Sequence, residues 1–93
     1  MAFELVYHAE VKDDVALLDG QFKRRIKTAI ESRLTVAPHQ YGEPLRKTLK
    51  GYWKLRIGDY RVFYKISGSE AWILGIIHRK DVYVKIEKRK EGA

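Results

Sequence analysis

Between Trp53 and Tyr64 the chain alternates oily and charged residues around a Gly58-Asp59 dipeptide, a pattern that leaves little alternative to a β-hairpin. A two-residue turn with glycine first fixes the register. Ile57 then pairs with Tyr60, Leu55 with Val62 and Trp53 with Tyr64 on one apolar face. On the other face Arg56 falls opposite Arg61 and Lys54 opposite Phe63. Like charges directly opposite on a sheet cost about 0.2–1 kcal/mol. The arrangement therefore makes physical sense chiefly when an anion sits between the arginines, and phosphate is the obvious candidate.

The 93 residues suit one domain, 1–93, and a composition that is 45% hydrophobic and 33% charged supports a single core. With no cysteine, disulfide and thiolate chemistry are excluded. Glu4 interrupts the apolar N-terminus, and the longest apolar run, Ala71 to Ile77, is too short to cross a bilayer. The expectation is a cytoplasmic protein with no membrane partner.

Charge is unevenly placed. Residues 1–44 carry a net charge of −1 and residues 45–93 a net charge of +8. Arg46, Lys47, Lys50, Lys54, Arg56, Arg61 and Lys65 face only Asp59 as a local acid, with Tyr52, Trp53, Tyr60, Phe63 and Tyr64 interleaved. Cations take phosphates and aromatic rings offer faces to bases, so this half suits nucleic acid.

Phe3 to Tyr7 reads as a strand. A helix follows with Val11, Val15 and Leu18 on one side and Glu10, Asp13 and Asp14 in its first turn, where acids complement the helix dipole. Gly20 is expected to end it. A second helix should then carry Phe22, Ile26, Ala29, Ile30 and Leu34 on one stripe, with Pro38 closing it and residues 39–49 forming a loop. Strands are predicted over 52–57, 60–66 and 71–78, with Ser67-Gly68-Ser69 as the last turn and residues 81–90 as a short basic helix or tail. The order β-α-α-β-β-β with a basic C-terminal segment gives an α+β fold, an antiparallel sheet with two helices packed on one face. The opposite face is left for function.

Several features have plain explanations. Tyr52, Tyr60 and Tyr64 are assigned to packing, and the Lys23-Arg24-Arg25 run to a solvated helix face. His8, His39 and His78 lack metal-ligand spacing, and no glycine-rich nucleotide loop is present, so neither metal nor cofactor is expected.

The segments Leu49-Lys50-Gly51, Trp53-Lys54-Leu55-Arg56, Gly58-Asp59-Tyr60-Arg61-Val62, Tyr64, His78-Arg79 and Val82-Tyr83 together resemble the RelE branch of the RelE/ParE toxin family. The close match covers about half the chain. The resemblance implies a RelE-like, microbial-ribonuclease-like fold and a toxin that a separate acidic antitoxin neutralises. It further implies an endoribonuclease, an mRNA interferase that cuts messenger RNA in the ribosomal A site without a metal. The family's strand lysine falls on Lys54, its phosphate-binding strand arginine on Arg61, its arginine after the last strand on Arg79 and its tyrosine on Tyr83. Two positions before Lys54, where well-studied members carry another lysine, this chain has Tyr52.

The residues suit that chemistry. RNA is cleaved when its own 2′-hydroxyl attacks the adjacent phosphorus, which requires alignment, removal of one proton, supply of another and neutralisation of the phosphorane. Arg61 and Arg56 are the expected clamp, because a guanidinium fork fits two phosphate oxygens. Lys54 is the candidate base, Arg79 binds phosphate or assists the leaving 5′-oxygen, and Tyr83 orients the nucleotide. Lys50, Lys47, Arg46, His78 and Lys80 complete the expected RNA-binding set. No carboxylate-histidine pair stands near the hairpin, so the ribosome is expected to supply order to the RNA. Two rivals remain: a ParE-like inhibitor of DNA gyrase, and a non-catalytic RNA-binding module or inactive toxin relic. Strand parity also leaves open whether His78 or Arg79 faces the cations.

Overall fold

The computed structural model describes residues 2–82. In chain order the elements are β1 (Glu4–Tyr7), α1 (Val11–Ala16) and α2 (Gly20–Ala29), the last continued by a π-helical turn (Ile30–Leu34). There follow α3 (Pro38–Tyr41), β2 (Glu43–Pro44), a 3-10 turn (Lys47–Leu49), β3 (Tyr52–Ile57), β4 (Tyr60–Ser67) and β5 (Glu70–His78). The five strands form one sheet in the order β1-β5-β4-β3-β2. β3 and β4 pair as the alternation predicts, with Ile57 opposite Tyr60, Leu55 opposite Val62, Trp53 opposite Tyr64 and Arg56 opposite Arg61. Gly58 takes a φ of +60° that Asp59 does not share, the backbone pattern of a glycine-first hairpin turn.

Helices α1 and α2 cover one face of the sheet. Val11, Leu18, Ile26, Ile30 and Leu34 pack there against Leu55, Ile57, Val62, Tyr64, Ile73 and Ile76. Tyr64 is completely buried, and its hydroxyl donates to the Pro38 carbonyl at 2.7 Å. The sequence stripe of Ile26, Ala29, Ile30 and Leu34 is thus the core stripe it was expected to be, although Phe22 stays at the surface against the Tyr60 ring.

The structure departs from expectation at five places, each for a local reason. β1 runs parallel to β5, not antiparallel to it, because two helices intervene and carry the chain back over the sheet. Gly20 begins α2; the break is the extended Asp19, with ψ of 155°. The regular helix stops at Ala29, and the wider π-helical turn keeps both Ile30 and Leu34 buried. Pro38 opens a short helix, where its missing N–H costs nothing, and residues 39–49 contain that helix, a two-residue edge strand and a 3-10 turn. The outer face of the sheet is not bare. Leu45 and Leu49 fold onto Phe63, Leu74, Ile77 and Val82, with Tyr52 beside them, so Tyr52 belongs to this second cluster and not to the main core. The basic segment beyond residue 82 lies outside the described residues.

Gly42 is held at the crossing of α3, β2 and the core. A Cβ there would stand 1.8 Å from the Tyr64 hydroxyl oxygen and 2.9 Å from the Lys54 carbonyl oxygen. Gly42→Ala is therefore expected to destabilise the fold by about 1–3 kcal/mol, the usual cost of overpacking, in chemical denaturation. Burial pushes the Tyr64 phenol up to about 12 from its ordinary 10.0. A raised phenol favours the neutral folded form, so its contribution is complete below pH 10 and is lost between pH 10 and 12. Tyr64→Phe should cost about 1–3 kcal/mol at neutral pH and flatten that alkaline loss in melting curves recorded across the range.

Candidate functional site

Lys54 and Arg61 leave the outer face of the hairpin, as the alternation requires, and with Arg79 they border a depression of about 180 Å³. Leu45, Phe63 and Val82 supply its apolar floor. A second depression of about 260 Å³ shares Lys54 and Arg61 and adds Arg33, Tyr41, Glu43 and Arg56. Neither encloses a ligand of drug size, for which 300–1,000 Å³ is typical. Their shape suits an extended chain laid across a charged surface.

A β-bulge decides which residue after the last strand joins the site. Phe63 faces Gly75 while the next residue of β4, Tyr64, faces Ile73, so Leu74 is an extra residue on β5. The extra residue shifts the phase of the strand. Ile73 and Ile76 both enter the main core, and Leu74 and Ile77 both enter the outer cluster. His78 consequently turns to the helix side, edge-on to Tyr60 at 5.4 Å, with its Nδ1 accepting the Lys80 N–H at 3.3 Å. Arg79 turns to the cation face. The strand just after the bulge is held by Asp14, a buried acid of α1 whose carboxylate accepts the Ile76 N–H at 3.0 Å.

The cations are held by groups that the sequence reading did not single out. Glu43, on the edge strand β2, lies opposite Lys54 and places its Oε2 3.9 Å from Nζ. Arg61 donates through Nη1 to the Gly58 carbonyl at 3.0 Å and to its own neighbour Tyr60 at 3.1 Å. These bonds offset part of the repulsion from Arg56, so the opposed pair does not rest on an anion alone. They occupy Nη1, and among the described residues Nε and Nη2, one edge of the fork, have no hydrogen-bond partner. Asp59 anchors Arg79 twice, its carbonyl accepting the Arg79 N–H at 2.9 Å and its Oδ1 lying 3.8 Å from Nε. Sequence alone marked Asp59 as a turn residue, the one local acid and part of a matched segment, and gave no signal for Glu43.

Arg56 is exposed beside Lys54 and Arg61. Arg46, Lys47 and Lys50 are exposed around the 3-10 turn whose Leu49 is buried, with Lys47 at a φ of +57°. Lys80 is exposed in the turn after β5. Tyr83 lies outside the described residues, one position beyond Val82. Among the described residues, no three His, Asp or Glu side chains gather where they could hold a metal ion. Nor is any described helix long and apolar enough to cross a membrane.

Comparison with known proteins places this architecture. Toxin RelG of Mycobacterium tuberculosis is 38% identical over 52 residues, which span 54% of this chain and 60% of RelG. Toxin RelE3 of Methanocaldococcus jannaschii is 27% identical over 73 residues, covering 75% of this chain and 83% of that protein. The toxin-antitoxin complex RelBE2 of M. tuberculosis contains a chain that superposes with a TM-score of 0.80 at 25% identity, covering 87% of this chain and 95% of that one. A variant of E. coli toxin RelE in the free state shares the fold over 98% of both chains, with a TM-score of 0.76 at 16% identity. A family model described as "ParE toxin of type II toxin-antitoxin system, parDE" matches residues 5–83. The chain therefore belongs to the RelE/ParE family of type II toxins, with RelE-type toxins as its relatives.

Proposed function

We propose that the chain is a ribosome-dependent endoribonuclease that cleaves messenger RNA in the A site without a metal and is silenced by an acidic antitoxin. The convergence of Lys54, Arg61 and Arg79 on one shallow depression carries this reading. Lys54 serves as the base that takes the proton of the 2′-hydroxyl. The freed oxygen bonds to phosphorus, the bond to the 5′-oxygen breaks, the departing oxygen takes a proton from solvent, and a 2′,3′-cyclic phosphate and a 5′-hydroxyl end result. The free edge of the Arg61 fork holds two non-bridging oxygens as negative charge builds on them. Arg79, held by Asp59, sits where it can neutralise the departing oxygen. Tyr83 orients the nucleotide. An open site with an apolar floor but no enclosing walls depends on an external scaffold to hold the RNA in line, which is the part the ribosome plays.

The antitoxin reading rests on the relatives found in toxin-antitoxin complexes and on unfilled apolar surface. A groove of about 490 Å³ runs between the helices and the sheet, lined by Tyr7, Val15, Leu18, Ile26 and Ile30, with Lys23, Lys27 and Glu31 at its border. An acidic amphipathic segment that folds on binding fits both its apolar floor and its charge.

Induction in bacteria should stop growth and generate new 5′ ends inside translated reading frames; arrested replication with intact transcripts would favour gyrase inhibition instead. In single-turnover cleavage on ribosomes, Lys54→Ala should lose about 10²–10⁴-fold in rate and Arg61→Ala about 10²–10³-fold. Asp59→Ala should change folding stability by no more than about 1 kcal/mol, because its ion pair with Arg79 is exposed, yet slow cleavage by up to about 100-fold through the misplaced arginine. The gene beside this one is expected to encode a small acidic protein whose co-expression restores growth and raises yield, and a neighbour without protective effect would count against the pairing.

A further inference from the structure

Helix α2 and its π-helical continuation have two flanks of different chemistry. Lys23, Ile26, Lys27, Ile30 and Glu31 recur three and four apart along the apolar groove. Arg24, Arg25, Thr28, Ser32 and Arg33 recur at the same intervals on the opposite flank. There a depression of about 600 Å³ opens between the helix and the hairpin turn, and Arg56 enters it from β3. The Arg25 guanidinium reaches over that turn, with Nη1 3.8 Å from where a side chain on Gly58 would begin. The run read from sequence as a solvated helix face is one wall of a four-arginine concavity.

Two observations give it a ligand class. Among the described residues, no carboxylate pairs with Arg24, Arg25 or Arg56, and the contact of Arg33 is with the Tyr41 ring at 5.9 Å. Four cations gathered with no counter-ion among the described residues repel one another, and an anion relieves that repulsion. The concavity is also continuous with the site. Arg33 and Arg56 border the next depression as well, which in turn shares Lys54 and Arg61 with the depression that holds Arg79.

We propose that the concavity of Arg24, Arg25, Arg33 and Arg56 is a second RNA-backbone site, which grips phosphates several nucleotides from the bond being broken. The proposal rests on RNA as the substrate. It favours RNA over an acidic protein because the apolar anchors a folding peptide needs lie on the other flank of α2. Unlike the cleavage site it has no reacting group. Its role is to fix the strand so that the scissile phosphate falls against Arg61.

The test uses the purified chain and 2′-O-methyl RNA, which lacks the nucleophile and stays whole. Arg24→Ala/Arg25→Ala should bind a 20-nucleotide single strand about tenfold or more weakly and lower the slope of log affinity against log salt by about 1.4, two phosphates at about 0.7 each. A four-nucleotide strand should bind the variant and the wild type equally, which also shows the variant to be folded. Arg24→Lys/Arg25→Lys should recover the slope but only part of the affinity, since the fork is lost. An unchanged long-strand affinity, or equal weakening of both lengths, would overturn the proposal. Retained RNA binding with lost binding of poly-glutamate would assign the concavity to an acidic protein instead. If both strands bind as expected but unmodified messenger RNA on ribosomes is not cut, the nuclease reading fails and this site stands.

Discussion

Three consecutive residues of β4, Val62, Phe63 and Tyr64, are each completely buried, and the rest of the structure follows from that constraint. Neighbours on a strand point to opposite faces, so burial of all three requires both faces of the sheet to be covered at its centre. The helices cover one face. The other receives Leu45 and Leu49 from the segment before β3 and Val82 from beyond β5, which together make a small second cluster around Phe63. The cationic site sits at the edge of that cluster, and Leu45, Phe63 and Val82 serve both as packing and as the floor beneath Lys54, Arg61 and Arg79.

Strand phase is the second constraint, and it links the core to the chemistry. A regular β5 that pointed Ile73 inward would also point residue 79 inward and leave His78 among the cations. The extra Leu74 reverses this by one step, so that Ile76 returns to the core and Arg79 emerges on the cation face. Asp14 supports the arrangement from α1 by accepting an N–H of β5 beyond the end of β1, where no neighbouring strand remains to take it. An acid of the first helix thereby steadies an arginine on the far side of the sheet.

Electrostatics at the site follow a common plan of cations steadied by local acceptors. Arg61 leans on turn carbonyls, Arg79 on Asp59 and Lys54 on Glu43, each within hydrogen-bonding or ion-pair reach. These contacts are largely exposed, so they contribute little to global stability. Their effect is orientation: they hold long, flexible side chains near the positions a phosphate backbone would require. Arg24, Arg25 and Arg56 have no such acceptors among the described residues.

The amino-acid sequence alone determined the hairpin, its turn and its register, because period-two alternation and a glycine-first dipeptide act over a few neighbouring residues and leave one solution. The buried stripe of α2, the α+β class and the surface on which Lys54, Arg56 and Arg61 lie were legible for the same local reason. What local pattern could not carry was anything that depends on contacts distant in the chain. The parallel pairing of β1 with β5, the leucines that cover the outer face, the place of Glu43 beside Lys54 and the bulge at Leu74 all arise from such contacts. Arg79 shows the division most clearly. Its residue type suggested phosphate chemistry, but a single extra residue inserted between Ile73 and Gly75 decided which face it occupies, and the strand just after that insertion is held by packing and, at Ile76, by a carboxylate sixty-two residues away.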